Sequence, residues 1–450
     1  MQPATQVKPW AEMTWQEKRE ERFKQWLAAP GVKFVSEEAE KLHKARVTRF
    51  IQAIKMEEPD RVPVMLPTGS FPAYYSGSSF YKIMYDYSEL KRTWVQFMDD
   101  FGDMDTFMGP GLIPSGRIME ALDVKTMKWP GHGIGKDVTM QQIVEGEYMK
   151  ADEYDWLMMD PTDYNLRVTL PRTTGLFEPF RKLPPLRMLM GGANWVAILA
   201  NPEIRKVFQT LMDLSDEFAQ HQAAIMEVSN IAQSRGYPSM FGGIMAQAPY
   251  DYFADMQRGT KGIVIDLYRR PEKLLEAIDI QLQLTIQTTI KNFPMSNCPV
   301  CMMPLHKGDD TFMSDKQFDR FYWPSLQKLF IAMIDEGLVP FPFAEGRYNS
   351  RLKLITDTPK SSVVWYFDQT DMAEAKRILG NTSCIVGNVP ASVVMTGTAG
   401  QVKENCRRLI ETCSPGGGYI LAGGASIDRG NVENLRAMME AAYEYGTYKH

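Results

Sequence analysis

Apolar residues along this chain gather into short, strand-length runs, and each run stops at a polar residue. The last quarter shows this most regularly, in Val363-Val-Trp-Tyr-Phe-Asp368, Cys384-Ile-Val-Gly-Asn388 and Gly417-Gly-Tyr-Ile-Leu-Ala-Gly-Gly-Ala-Ser-Ile-Asp428. Between the runs, Met372–Leu379, Ala399–Cys413 and Val432–Tyr445 repeat apolar residues at helical spacing. Strand and helix in alternation, with polar groups at the strand ends, is the grammar of a parallel β/α barrel. Tracing the pattern back gives eight strands, at 62–67, 104–108, 239–245, 299–305, 339–343, 363–367, 383–386 and 418–421. The expected fold is therefore α/β, a (β/α)8 TIM barrel over residues 59–450. Charged amphipathic helices at 17–28 and 37–55 form an N-terminal helical extension, residues 1–58. From about 109 to 236 the alternation loosens into a stretch rich in Pro, aromatics and charge, closed by a long helix at 202–235. It reads as an insertion between strands two and three that partly covers the barrel mouth.

Composition narrows the class. The chain has 450 residues, enough for two or three domains or for one elaborated barrel. Its formal charge of -5 argues against a nucleic-acid binder with a broad basic face. No apolar run reaches the roughly 18 residues of a membrane span, and the charged start lacks an apolar signal core. The expectation is a soluble cytoplasmic protein. The five cysteines do not suggest a disulfide framework, and the lone Cys298-Pro-Val-Cys301 pair reads as core. The 30 methionines fill irregular apolar space or line a pocket for a large flat ligand.

In a barrel of this kind chemistry sits at the C-terminal ends of the strands. His306 follows a buried strand directly and can serve as general acid or base, or as a metal ligand with Glu345. Asp309 and Asp310 either orient its ring or cap the next helix. Glu345 follows another apolar strand; a desolvated carboxylate there suits an acid role, and an ion pair with Arg347 is the alternative. Asp368 has the same standing, and His306, Glu345 and Asp368 are the candidate catalytic residues. Candidate substrate contacts are Tyr75, Met108, Gln247, Tyr250, Met302, Lys307, Asp309, Arg347 and Asn388. Met65, Met108, Met245, Met302, Met303, Phe343 and Trp365 are expected to ring the mouth.

Several segments resemble the uroporphyrinogen decarboxylase superfamily. They are Arg46-Val-Thr-Arg-Phe-Ile-Gln-Ala-Ile54 with Glu57-Glu-Pro-Asp-Arg-Val-Pro-Val64, Phe241-Gly-Gly-Ile with Ala248-Pro-Tyr, and Asp371 to Gly380 followed by Gly387-Asn-Val-Pro and Gly417-Gly-Tyr-Ile-Leu-Ala. The resemblance implies a (β/α)8 barrel and one of two chemistries: decarboxylation of a tetrapyrrole's acetate arms, or methyl transfer to or from a corrinoid. The decarboxylases carry arginines at the first strand end, where forked donors hold a polyanionic substrate. Here no Lys or Arg occurs from Val62 through Tyr81. Thiol-methylating members hold zinc through cysteines; here Glu345 and Ala425 stand at the corresponding positions, so zinc would need another ligand set.

The expectation is thus a corrinoid (cobalamin)-dependent methyltransferase. The corrinoid would arrive on a partner protein, because no DxHxxG-type corrinoid segment occurs, and the substrate would be a small methylated molecule. The runner-up is a decarboxylase in which Lys307, Arg347, Arg117 and Arg172 replace the missing arginines. A third reading is a non-catalytic corrinoid or tetrapyrrole binder. A homodimer is expected by analogy alone.

Overall fold

The computed structural model describes residues 8–242, 245–291, 293 and 298–448. Its strands, in chain order, are β1 (Val64–Met65), β2 (Met127–Pro130), β3 (Gly133–Ile134), β4 (Gln142–Ile143), β5 (Val300–Leu305), β6 (Val339–Ala344), β7 (Val364–Phe367), β8 (Cys384–Val386) and β9 (Tyr419–Ala422). Six of them form a curled parallel sheet in the order β1-β9-β8-β7-β6-β5. Register follows from pairs such as Met302 with Phe341, Phe343 with Tyr366, and Ile385 with Tyr419.

Side chains alternate across this sheet. Val300, Val339, Phe341, Val364, Tyr366, Val386 and Ile420 point inward, and Met65 and Ala422 join them. Cys301, Met303, Trp365, Phe367, Ile385 and Leu421 pack outward against the surrounding helices. Met303 and Trp365 therefore do not ring the mouth as expected: they belong to the outer face. Phe23 and Trp26 from the helix Trp15–Ala28, and Val47, Phe50 and Ile54 from Glu37–Lys55, plug the barrel floor.

The helices Met372–Leu379, Ala399–Cys413 and Val432–Tyr445 form as the apolar spacing predicts. Each has a side-chain cap: Asp371 accepts from Ala373 and Glu374, Thr398 closes a capping box with Gln401, and Asn431 accepts from Glu433.

Two expected strands are absent as ladder strands. At residues 104–108 the Asp105 carboxylate, rather than a backbone carbonyl, takes the Val64 N–H at 2.9 Å. It also pairs with Arg61 at 2.6 Å and Arg49 at 2.7 Å, so a salt-bridge network replaces the ladder beside β1. Along 239–245 the pairing is discontinuous. Gly242 donates to the Val300 carbonyl at 2.8 Å and Ala246 to that of Met302 at 3.2 Å, with an isolated bridge at Met245; residues 243–244 lie outside the described residues. These two extended segments flank the sheet where strands two and three of a barrel would stand.

The segment after Gly109 contains the small sheet β3-β2-β4 and the helix Pro202–Ser234, which packs on Tyr87–Asp100. Part of it reaches the strand ends. Ser70 donates to the Thr139 carbonyl at 2.6 Å, Arg429 to that of Asp137 at 2.7 Å, and Lys307 Nζ lies 3.2 Å from Glu145. Among the described residues no helix is long and apolar enough to cross a membrane.

Candidate active site

The turn after β5 presents His306, and two carboxylates from one short helical stretch meet it. Asp251 lies in the helix Pro249–Phe253, and Asp255 follows one turn later. The ring Nδ1 of His306 is 2.6 Å from Asp255 Oδ2. Opposite a carboxylate, that nitrogen carries the proton. The other ring nitrogen, Nε2, looks toward Glu345 Oε1 at 3.7 Å. Gln247 donates its amide to Asp255 at 3.0 Å, and Lys307 Nζ stands 3.7 Å from the other oxygen of Asp255. The fully buried Asp251 accepts from the backbone N–H groups of His306 at 2.9 Å and Lys307 at 3.2 Å, and from the Tyr322 hydroxyl at 2.8 Å.

Electrostatics follow from this packing. The hydrogen bond to Asp255 pushes His306 up to about 9, against the opposing effect of burial. Burial pushes Asp251 up to about 7, and the neighbouring Asp255 adds to the rise. Burial also raises Glu345; His306 opposes that rise and Asp368 adds to it. Asp368 is raised by burial as well, although it accepts from the Gly346 N–H at 3.1 Å and from Gln369 at 3.2 Å. The His306 side chain is 30 % exposed and that of Glu345 43 %, so both reach the open mouth.

Space beneath the turn matters too. A side chain on Gly308 would place its Cβ 2.4 Å from the Tyr348 hydroxyl, so only glycine lets the turn lie against the buried Tyr322 and Tyr348.

The structure brings His306, Glu345, Gln247 and Lys307 together, with Asp368 beside Glu345. Met302 points inward and is half-buried, next to the exposed Met245. Met108 is half-buried, and its carbonyl accepts from the Trp94 indole at 3.1 Å.

Other expected contacts are used differently. Tyr75 turns into an aromatic cluster with Phe71, Phe97 and Phe101 and donates to Asp100 at 2.8 Å. Tyr250 is completely buried against Tyr322. Asp309 does not orient His306; it accepts from the Thr311 and Phe312 backbone at 2.6 and 2.8 Å and caps its own loop. Asn388 donates to the Thr370 carbonyl at 2.7 Å, tying two strand-end loops together. Arg347 is exposed, and the ion-pair partner of Glu345 is His306 rather than Arg347.

The sequence reading missed Asp251 and Asp255. The only available signal was their spacing of four on a helix that opens after Ala248-Pro249. His306 and Glu345 do meet, as a shared metal site would need. Among the described residues, however, no group of three His, Cys, Asp or Glu side chains could hold a metal ion. All five cysteines are free and buried, so a thiolate-zinc set does not fit this mouth.

A parallel barrel sheet whose strand ends gather an acid–imidazole cluster defines a barrel enzyme of the β/α type. Residues 199–445 match the uroporphyrinogen decarboxylase (URO-D) family, more than half of the chain, and the chain belongs to that family. Its fold is also similar to a solved structure of a methyltransferase from Methanosarcina mazei. That likeness has a TM-score of 0.54 at 16% sequence identity, and covers 88% of this chain and 98% of that one. No curated protein matches the chain.

Proposed function

We propose that this chain is an enzyme that moves a methyl group between a small methylated substrate and a corrinoid carried by a partner protein. The observation behind this reading is the His306 ring, held at one nitrogen by Asp255 and open at the other to Glu345 and the mouth. A ring pushed up to about 9 is protonated near neutral pH and suits proton donation. When a methyl–oxygen bond breaks, the electron pair stays on the oxygen, which leaves as a neutral alcohol or phenol only if it gains a proton. His306 Nε2 would supply that proton. Asp255 would hold the imidazolium until then, and the partly exposed Glu345 would pass a proton back from solvent. A quaternary ammonium leaves as a neutral amine without needing a proton, so the acid favours an O-methyl donor.

The corrinoid, when brought to the mouth, would supply the nucleophile that receives the methyl group. Met245, 57% exposed beside Met302, is the apolar surface that suits contact with its flat ring.

Decarboxylation of a carboxylated substrate is the second reading. The family match favours it, as do Lys307 and Arg347 at the strand ends. Arg117 and Arg172 do not serve it, because they pair with Glu217 and Glu153 inside the segment after Gly109.

The test is spectroscopic. The protein is mixed with a reduced corrinoid protein and a panel of methylated aromatics and amines. A shift of the corrinoid spectrum with an aryl methyl ether is the expected result; no shift with any donor contradicts the proposal. Formation of coproporphyrinogen from uroporphyrinogen would establish the second reading instead.

A further inference from the structure

Proton donation engages the His306 ring and Asp255, while Asp251, the most deeply buried carboxylate of the cluster, touches neither the ring nor the mouth. Asp251 is 0% exposed. Its Oδ2 takes the His306 N–H at 2.9 Å and the Tyr322 hydroxyl at 2.8 Å, and its Oδ1 takes the Lys307 N–H at 3.2 Å. Two consecutive backbone donors on one carboxylate fix the plane of the peptide between them. That peptide sets the direction in which His306 leaves the end of β5. Tyr322, from the helical stretch Phe318–Tyr322, closes the other side. Asp255 lies four residues after Asp251 on the same stretch, so both carboxylates face the same turn.

We propose that Asp251 is a positioning residue. It holds the His306–Lys307 backbone so that the ring meets Asp255 with one nitrogen and the substrate with the other. The clamp has two points, backbone and ring, supplied by residues one helical turn apart. Burial makes a charged carboxylate costly unless its hydrogen bonds are met, and here three donors meet it. The task is distinct from that of Asp255, which touches the ring itself. The functional part of the proposal rests on His306 acting as the proton donor; the geometric part does not.

Histidine-selective nitrogen labelling of the full chain gives the test, because only five histidines contribute signals. In wild type, the proton on His306 Nδ1 resonates far downfield, as protons shared with a carboxylate do, and the His306 amide exchanges slowly. In Asp251→Ala the amide is expected to exchange at least roughly tenfold faster. The downfield proton should broaden or vanish although Asp255 is intact. Turnover in the methyl-transfer assay should fall about 100-fold in kcat, with KM changed less than about threefold, as misplacement of a reacting group produces. Asp251→Asn, which keeps one acceptor oxygen, should recover part of each effect. As a control, Asp255→Asn should lose the downfield proton while the His306 amide stays protected.

A folded Asp251→Ala protein with wild-type amide exchange and an unchanged Nδ1 signal would overturn the proposal. If the alanine variant does not fold, Asp251→Asn carries the test with the same readouts, and wild-type behaviour there overturns it equally. Loss of both signals with unchanged turnover would uphold the positioning role and sink the proton-donor reading of His306 instead.

Discussion

Two clusters of charge flank the same sheet and use the same residue types to opposite ends. Near the floor, Asp105 sits at 1% exposure between Arg49 and Arg61, and its oxygens also take the Val64 N–H. Arg49 reaches on to Asp60 at 2.6 Å, so cations match carboxylates and every partner is fixed. At the mouth, Asp251, Asp255 and Glu345 gather around one imidazole and one lysine, with Asp368 beside Glu345. Carboxylates are in excess, and Asp251, Glu345 and Asp368 are all pushed up. A balanced network holds the fold; an unbalanced one keeps protons available.

The sharpest way to break this contrast is at the floor. Asp105→Ala leaves the buried Arg61 guanidinium without a carboxylate and Arg49 with Asp60 alone, and should cost about 3–5 kcal/mol of stability. Thermal or urea unfolding measures it; a loss below about 1 kcal/mol would mean that the network is not what replaces the missing ladder. At the mouth the pattern should reverse. His306→Gln should lower methyl transfer by about 10²–10⁴-fold while leaving the unfolding midpoint little changed above pH 9, where the ring's charge no longer contributes. A variant that unfolds readily but turns over normally would erase the distinction between the two clusters.

A third effect is pH dependence. His306 has a folded value raised from 6.5 to about 9, so its contribution is fully present below pH 6.5 and is lost as pH rises through 9. Asp251 is raised from 3.8 to about 7, so stability also falls between those values as the buried carboxyl is forced to ionise. Both signs agree, and stability should decline from mildly acidic to alkaline pH. The part above pH 6.5, on the order of 1–3 kcal/mol, should be missing in His306→Gln. Parallel pH–stability curves for the two proteins would count against the charged ring. The smallest effect belongs to the half-exposed Lys307–Glu145 pair, where Glu145→Gln should change stability by less than about 1 kcal/mol.

The outer helices were legible in the sequence because they depend on local period and caps. Residues 372–379, 399–413 and 432–445 carry both an apolar stripe and an N-cap, and the helices stop where the stripe does. The strand ends were legible in part. His306 and Glu345 follow uninterrupted apolar runs and do reach the mouth. Tyr75 lies farther along the chain from its strand, and the helix Phe71–Tyr75 has already turned it away. Trp365 and Met303 were misplaced by one position of the strand's two-residue alternation: their neighbours Tyr366 and Met302 are the ones that face inward. Residues 104–108 have a strand's composition, yet Asp105 replaces backbone pairing with side-chain pairing, which no periodicity reveals. Asp251 and Asp255 were illegible for a related reason: they meet His306 only through the approach of a helix 51 to 55 residues earlier in the chain.

The most direct test of a proton held ready at the mouth is an NMR titration of the His306 ring in the intact protein. A midpoint near 9 is expected, with a return toward 6.5 when Asp255→Asn removes the carboxylate that holds Nδ1. A wild-type ring that titrates at or below 6.5, or one that the Asp255 substitution leaves unmoved, would contradict the claim that the mouth is built to keep a proton ready for transfer.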